Sequence, residues 1–440
     1  MNATRPRSCR RLSIMSQSVP PIVSVAPSRA LMDETFTVLV ENLPPGSPVT
    51  VRALHHSEDR DYWEAYGHYV SCHRGTVSVS DDLSLGGTYT GKEAMGLLWS
   101  MRPVPGSRTG LRLRKRNVST PMLVTISVHR GHGDVRDQTP LASVLTERWY
   151  MAPGVHRVEV NESGVRGTMF IPPGPGPFPG LLDMWGGGGG LLEYRSALLA
   201  SRGFVSLALE YFKPGELSSA ELELRYFETA FNLVRDHPQV LPDRVGLFGL
   251  SLGSSVSMLL AAESQVVHPR CCVCISGTHY FGSSFSGGHA KIQQTLDQGR
   301  VDENNYHIWR DIGLQYLKGS SGKLNMGNIQ CPVMLVSGAD DQNVPAPEVA
   351  EDISQLMRAA GNEHLLTRLD YPDAGHLIEP PYSPHFRATN FILHSNREKV
   401  ILLWGGKTKP HSDAQEDSWR KMLTFLQQNL YGDAGPKAKL

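Results

Sequence analysis

An apolar run, Val245-Gly246-Leu247-Phe248-Gly249-Leu250, ends in Ser251, which is followed by Leu252-Gly253 and by the helix-compatible stretch Val256-Ser257-Met258-Leu259-Leu260-Ala261-Ala262. This order predicts a buried strand that turns sharply into a helix. The serine then stands at the top of a sheet, with the backbone N–H groups of the helix N-terminus aimed at the same spot. Glycine on either side suits a turn too tight for flanking side chains. The bare Gly-x-Ser-x-Gly pattern is weak evidence, because chance alone supplies about 0.4 copies in a chain of this composition. Its setting between strand and helix is what constrains the fold. The competing reading is an ordinary glycine-rich turn around a hydrogen-bonded serine.

A serine nucleophile needs a base and an acid that orients it, and in strand-turn-helix folds of this kind they follow in the order Ser, Asp, His. Both are present. The strand-like Cys331-Pro332-Val333-Met334-Leu335-Val336-Ser337-Gly338 ends in Ala339-Asp340-Asp341-Gln342-Asn343-Val344-Pro345. A carboxylate just past a strand end lies at the same sheet edge as the serine. Asp341 is the candidate acid, on a spacing similar to the acid loop of dienelactone-hydrolase-like enzymes. Asp340 is then a turn or cap residue, and the reverse assignment stays open. Downstream, Leu369-Asp370-Tyr371-Pro372-Asp373-Ala374-Gly375-His376 closes a further strand with a Gly-His loop, which makes His376 the candidate base. Among the 17 histidines, His55, His56, His68, His73 and His289 lie in polar segments and read as surface or packing residues.

Acyl transfer builds an oxyanion, which needs two N–H donors. Leu252 supplies one from the residue after the nucleophile. The strand-like Gly180-Leu181-Leu182-Asp183-Met184-Trp185 feeds Gly186 to Gly190, and Gly187 in that run is the candidate for the second. A flexible linker, a phosphate loop and a dinucleotide site compete for the same glycines. The linker fits poorly between an apolar strand and the helical Leu191-Leu192-Glu193-Tyr194-Arg195-Ser196-Ala197-Leu198-Leu199, and the other two lack their further signature residues.

Several stretches resemble the type I acyl-CoA thioesterases and their sibling, the bile acid-CoA:amino acid N-acyltransferase. In the N-terminal half these are Ala30-Leu31-Met32-Asp33-Glu34, Leu85-Gly86-Gly87-Thr88-Tyr89 with Met95-Gly96-Leu97-Leu98-Trp99-Ser100-Met101, and Gly167-Thr168-Met169-Phe170-Ile171-Pro172-Pro173. In the C-terminal half they are Glu193-Tyr194-Arg195 with Leu199-Ala200-Ser201-Arg202-Gly203-Phe204, Gly375-His376-Leu377-Ile378-Glu379-Pro380-Pro381-Tyr382, and Trp404-Gly405-Gly406. The resemblance implies an immunoglobulin-like β-sandwich that helps shape the entrance, followed by an α/β-hydrolase domain with the triad Ser251, Asp341 and His376. It implies boundaries at 1–24 for a targeting-like or disordered N-terminus, 25–155 for the sandwich, 156–430 for the hydrolase domain and 431–440 for a tail.

Two departures stand out. Thioesterases of this family usually carry lysine after the nucleophile, where this chain has Leu252, and the interval from Asp341 to His376 is slightly longer than the family's. The conjugating sibling uses cysteine as nucleophile and passes the acyl group to glycine or taurine. A serine makes an oxyester whose expected acceptor is water, so hydrolysis of fatty acyl-CoA to fatty acid and coenzyme A is the leading expectation. The amino-acid N-acyltransferase and a non-catalytic acyl-CoA-binding protein are the alternatives.

At 440 residues the chain suits two to three domains. Its 43 basic and 43 acidic residues cancel, which argues against general nucleic-acid binding. Arg108, Arg112, Arg114, Lys115 and Arg116 form a local basic cluster that reads as a solvated loop, with contact to coenzyme A phosphates as the sharper alternative. No stretch approaches the roughly 18 apolar residues of a membrane span. Cys271-Cys272-Val273-Cys274 lacks a second pair, and on a strand Cys271 and Cys274 face opposite sides, so buried thiols are expected rather than zinc or disulfides. No metal or cofactor is implied.

Alternating residues at Val38 to Val40, Val49 to Val51, Val77 to Val79 and Leu123 to Val128 predict sandwich strands. After the Pro/Gly-rich Pro172 to Pro179, strands alternate with helical stretches as in a mostly parallel sheet. The less regular Gly282 to Asn328 is a place where a lid could lie, and Trp419, Met422, Leu423, Leu426 and Leu430 follow helical core spacing.

Residues 1–32 hold Arg5, Arg7, Arg10, Arg11 and Arg29 with no acidic residue, much like a mitochondrial presequence. Ala438-Lys439-Leu440 is a close variant of the Ser-Lys-Leu peroxisomal signal. Peroxisome is therefore the expected address, reached through the import receptor, with mitochondrial matrix or cytosol as alternative. The family suggests a monomer.

Overall fold

The computed structural model describes residues 19–211, 223–281, 295–319, 322–393 and 396–432. The N-terminal part is built almost wholly from strands: β1 (Ile22–Ala26), β2 (Arg29–Leu31), β3 (Thr37–Glu41), β4 (Pro48–His56), β5 (Tyr62–Val70), β6 (Val77–Ser78), β7 (Arg102–Pro103), β8 (Met122–Arg130) and β9 (Ala142–Trp149), with one short helix, α1 (Gly96–Trp99). They form two sheets, in the orders β1-β3-β6 and β2-β9-β8-β4-β5-β7. Alternation decides the faces: along β1 and β3 every second residue is buried, so Val23, Val25, Val38 and Val40 meet Val51, Ala53, Val124 and Ile126 of the larger sheet in one apolar cluster.

The C-terminal part is layered around an eight-stranded sheet of β10 (His156–Glu162), β11 (Val165–Ile171), β12 (Phe178–Met184), β13 (Val205–Leu209), β14 (Val240–Leu250), β15 (Cys272–Ile275), β18 (Val333–Gly338) and β19 (Leu366–Tyr371), in the order β10-β11-β13-β12-β14-β15-β18-β19. Pairing is antiparallel from β10 through β13 and parallel from there to β19. The central strands are buried on both faces, as parallel strands between helical layers must be, which is why they read as continuous apolar runs. The helices are α2 (Tyr194–Ser201), α3 (Leu224–Arg235), α4 (Leu252–Glu263), α5 (Arg310–Lys318), α6 (Ala346–Ala360) and α7 (Thr408–Leu426).

Spacing fits location. In α3 the buried residues are Phe227, Ala230, Phe231 and Val234, a single stripe, whereas α4 is buried nearly all round because it runs through the middle of the domain. Helix α6 ends at Gly361 in the left-handed conformation, φ +81°, which a side chain would disfavour. The parallel sheet, the serine at a strand-to-helix turn and the helical layers make this an α/β-hydrolase arrangement.

Two features differ from the sequence reading. The predicted helix at Leu191–Leu199 begins only at Tyr194, since Leu191 to Glu193 carry the chain out of the glycine run. Part of the irregular Gly282 to Asn328 region, residues 282–294 and 320–321, lies outside the described residues. The rest contributes α5 and strands β16 (Arg300–Val301) and β17 (Tyr306–Ile308), which join β20 (Ala388–Ile392) and β21 (Lys399–Leu403) in a second sheet, β16-β17-β21-β20.

Candidate active site

Four loops leave the carboxyl ends of parallel strands at one sheet edge: Trp185–Gly190 after β12, Ser251 after β14, Asp341 after β18 and His376 after β19. Side chains there converge because parallel strands end together.

Ser251 sits at φ 55°, ψ −118°, a strained conformation for a non-glycine residue, at the sharp junction of β14 and α4. A Cβ on Gly249 would come within 2.2 Å of the Gly253 carbonyl oxygen, and one on Gly253 within 2.4 Å of the Met184 oxygen. Both positions therefore exclude side chains. The turn is held by Ser251 N–H donating to Ile275 O at 2.8 Å and Gly253 N–H donating to Trp185 O at 2.9 Å.

Asp341 is fully buried; its Oδ1 accepts the amides of Asn343 and Val344, each at 2.8 Å, and its Oδ2 lies 2.7 Å from His376 Nδ1. The two amide bonds fix the carboxylate so that Oδ2 is left for the imidazole. With Nδ1–H donating to that carboxylate, Nε2 of His376 carries the lone pair. Asp340 turns elsewhere: its Oδ2 accepts Gly406 N–H at 2.8 Å and Arg387 Nη1 at 3.1 Å. The His376 ring lies parallel to Trp404, centroids 5.6 Å apart, and its backbone N–H donates to Trp404 O at 2.9 Å.

The buried His411 on α7 completes the support. Its Nδ1 accepts Gly375 N–H at 3.0 Å and its Nε2 donates to Leu377 O at 2.8 Å, bracketing His376 on both sides. Burial first, and then neighbouring His385, push the His411 pKa down to about 3, so it is neutral and its two bonds persist at physiological pH.

Ser251 and His376 line one cavity of about 200 Å³, walled by Trp185, Leu250, Leu252, Trp309, Phe391 and Trp404 among others, with Gly186 to Gly189 along one side. Gly186 is close-packed on the serine: a Cβ there would lie 3.4 Å from Ser251 Cβ. Among the described residues neither the Leu252 nor the Gly187 amide donates to a protein acceptor. The strand before this loop is pinned by a buried network. Arg195 Nε donates to Asp183 Oδ1 at 2.8 Å, Ser196 Oγ to Asp183 Oδ2 at 2.7 Å and Arg195 Nη2 to Met184 O at 2.8 Å, while the guanidinium lies 4.0 Å from the Trp185 ring centre.

The basic cluster is not a solvated loop throughout. Arg108 pairs with Asp61, Lys115 with Glu58 and Arg116 with Asp59, but Arg112 reaches Glu379, and both Arg112 and Arg114 line the Ser251 cavity. Composition could not reveal this, because Arg112 and Glu379 are 267 residues apart. Sequence reasoning likewise missed Trp309 and Phe391, supplied by the second sheet and its flanks. His411 had the weak signal of a polar residue on the buried face of an otherwise regular helix.

Of the histidines set aside, His55 is buried with Nδ1 2.7 Å from Leu123 O, His68 lies against His132, His56 and His73 are exposed, and His289 is outside the described residues. Cys72, Cys271, Cys272, Cys274 and Cys331 are free thiols, the last four buried, with Cys271 and Cys274 in different apolar clusters as opposite strand faces require. Among the described residues there is no cluster of metal-ligating side chains and no helix long and apolar enough to cross a membrane.

Residues 33–162 match the family described as "Acyl-CoA thioester hydrolase/BAAT N-terminal region", and residues 222–432 match "BAAT / Acyl-CoA thioester hydrolase C terminal". The mouse (Mus musculus) protein "Acyl-coenzyme A thioesterase 5" is 37% identical over 432 residues, 96% of this chain and 100% of its own. The mouse "Peroxisomal succinyl-coenzyme A thioesterase" is 37% identical over 93% of this chain and 96% of its own, and the mouse "Bile acid-CoA:amino acid N-acyltransferase" 34% identical over 93% and 98%. With both halves matched and relatives aligned almost end to end, the chain belongs to the acyl-CoA thioester hydrolase/BAAT family.

Proposed function

We propose that the protein is a serine hydrolase that cleaves fatty acyl-CoA to free acid and coenzyme A, with Ser251 as nucleophile, His376 as base and Asp341 as the acid that orients it. The observation that carries this reading is a strained serine sharing one cavity with a histidine whose other ring nitrogen is 2.7 Å from a buried carboxylate. His376 Nε2 accepts the Ser251 proton as Oγ attacks the thioester carbonyl, a contribution of roughly 10² to 10⁴ in rate. Charge gathers on the carbonyl oxygen, where the Leu252 and Gly187 amides donate. Collapse breaks the C–S bond and the proton on His376 goes to the departing sulfur. Because a thiol of pKa near 8.5 is a good leaving group, that protonation matters less than in amide cleavage. Water, deprotonated by His376, then attacks the acyl-serine ester; the C–Oγ bond breaks, the proton on His376 returns to Ser251 Oγ, and the acid is released.

The N-terminal two-sheet unit is assigned as an immunoglobulin-like sandwich over 25–155 and the catalytic domain as 156–430, the protein acting as a monomer. Peroxisomal delivery is the favoured address, supported by a peroxisomal relative; the segments 1–18 and 433–440 lie outside the described residues.

Free-thiol release from a panel of saturated, branched and bile-acyl CoA esters, with wild type and Ser251→Ala and with or without glycine or taurine, tests the assignment. Thiol release that needs Ser251 and ignores the amine supports hydrolysis. An amide product would make the protein a conjugating transferase, and tight binding without turnover an acyl-CoA carrier.

A further inference from the structure

The loop between β7 and β8 carries five basic residues, and four of them have carboxylate partners: Arg108 with Asp61, Arg112 with Glu379, Lys115 with Glu58 and Arg116 with Asp59. Arg114 is the exception. Among the described residues no carboxylate lies within ion-pair distance of it. Glu58, which lines a second small cavity with Arg114, is already engaged by Lys115 Nζ and by the amides of Arg116 and Asn117 at 2.7 and 3.3 Å.

Arg114 is half-buried, close enough to Arg112 for their charges to repel, and on the wall of the Ser251 cavity. Arg112 itself is largely buried, with Nε lacking any partner. Glu379, the carboxylate that Arg112 reaches, also accepts Tyr194 OH at 2.8 Å. Glu379 thus neutralises Arg112 alone, and the Arg114 guanidinium leaves an uncompensated positive charge on the wall of the Ser251 cavity. Keeping such a charge away from water is costly unless an anion meets it.

We propose that Arg114, assisted by Arg112, is a substrate-binding residue that takes an oxyanion group of the thioester substrate, either a phosphate of coenzyme A or a carboxylate on the acyl chain. Both groups present paired oxygens that match the guanidinium fork, so the ligand chemistry is shared. The inference rests on the thioesterase reading and adds a binding determinant to it. It also gives the N-terminal region a direct part in recognition, because Arg114 belongs to that region and Ser251 to the other.

The test compares kcat and KM of wild type, Arg114→Gln and Arg114→Lys on three matched thioesters: hexanoyl-CoA, adipoyl-CoA and hexanoyl-pantetheine. Arg114→Gln is expected to lose on the order of tenfold more kcat/KM on one member of a pair than on the other, mainly through KM, with part of the loss recovered in Arg114→Lys. A larger loss on hexanoyl-CoA than on hexanoyl-pantetheine identifies the phosphates as the partner; a larger loss on adipoyl-CoA than on hexanoyl-CoA identifies the acyl carboxylate. Equal losses on all three, or no loss, would overturn the inference while leaving the thioesterase reading intact. Wild-type inactivity toward all three and toward the wider acyl-CoA panel would instead remove that reading, and this inference with it.

Discussion

At the scale of single residues, the site turns on which side chains are held and by what. Asp341 is immobilised by two amide bonds and touches His376, whereas Asp340 faces Arg387 and Gly406 at the surface. Asparagine at 341 therefore keeps the shape but removes the charge and favours the wrong imidazole tautomer. We expect Asp341→Asn to lower kcat by about 10⁴. Asp340→Asn, which weakens a half-exposed ion pair with Arg387 and the hydrogen bond from Gly406 N–H, should change it by less than about threefold. Steady-state thiol release measures both, and comparable losses would mean that the acid has been misassigned. Ser251, Asp341 and His376 were legible as candidates because each follows a short apolar run closed by glycine or a turn, a signal confined to neighbouring residues. Arg112 and Arg114 were not, since their cavity is assembled from segments far apart in the chain.

At the scale of elements, the loop carrying His376 owes its shape to α7 through His411. Burial lowers the folded-state pKa of His411 to about 3 from an unfolded value near 6.5, so the unfolded chain binds the extra proton first. Its contribution to stability is complete above pH 6.5 and is lost as pH falls toward 3, at about 1.4 kcal/mol per pH unit. His411→Gln should flatten the acid limb of a denaturation-midpoint profile between pH 6.5 and 4. An unchanged slope would contradict a neutral buried His411. The same variant should lower kcat at pH 7.5 by on the order of tenfold, by loosening the loop on both sides of His376. Strand positions were largely readable, because period-two alternation marks the N-terminal sheets and continuous apolar runs mark the parallel strands. The second sheet, β16-β17-β21-β20, was not readable: two of its strands are two and three residues long, too short for any period.

At the scale of the whole molecule, the two regions are joined by buried polar contacts and a shared apolar cluster. Asp33 of the N-terminal region accepts Trp419 Nε1 at 2.9 Å and Arg202 at 2.7 and 2.9 Å, while one cluster runs from Val38 and Val124 to Tyr194, Leu198 and Trp419. Asp33→Ala leaves a mostly buried guanidinium with only the longer 3.6 Å contact to the half-exposed Glu34 and should cost about 3 kcal/mol. Urea denaturation is expected to remain a single transition in wild type and variant; separate transitions for the two regions would show that the contacts do not couple them. The proposed reaction runs through a covalent acyl-serine at position 251, hydrolysed by water. The most direct measurement is rapid-quench mass spectrometry of the protein mixed with acyl-CoA, followed by peptide mapping. We expect an adduct of one acyl mass on the peptide containing Ser251, absent in Ser251→Ala and accumulating in an Asp341→Asn variant slowed at deacylation. Turnover without any adduct on that peptide, or an adduct on one of the cysteines, would contradict it.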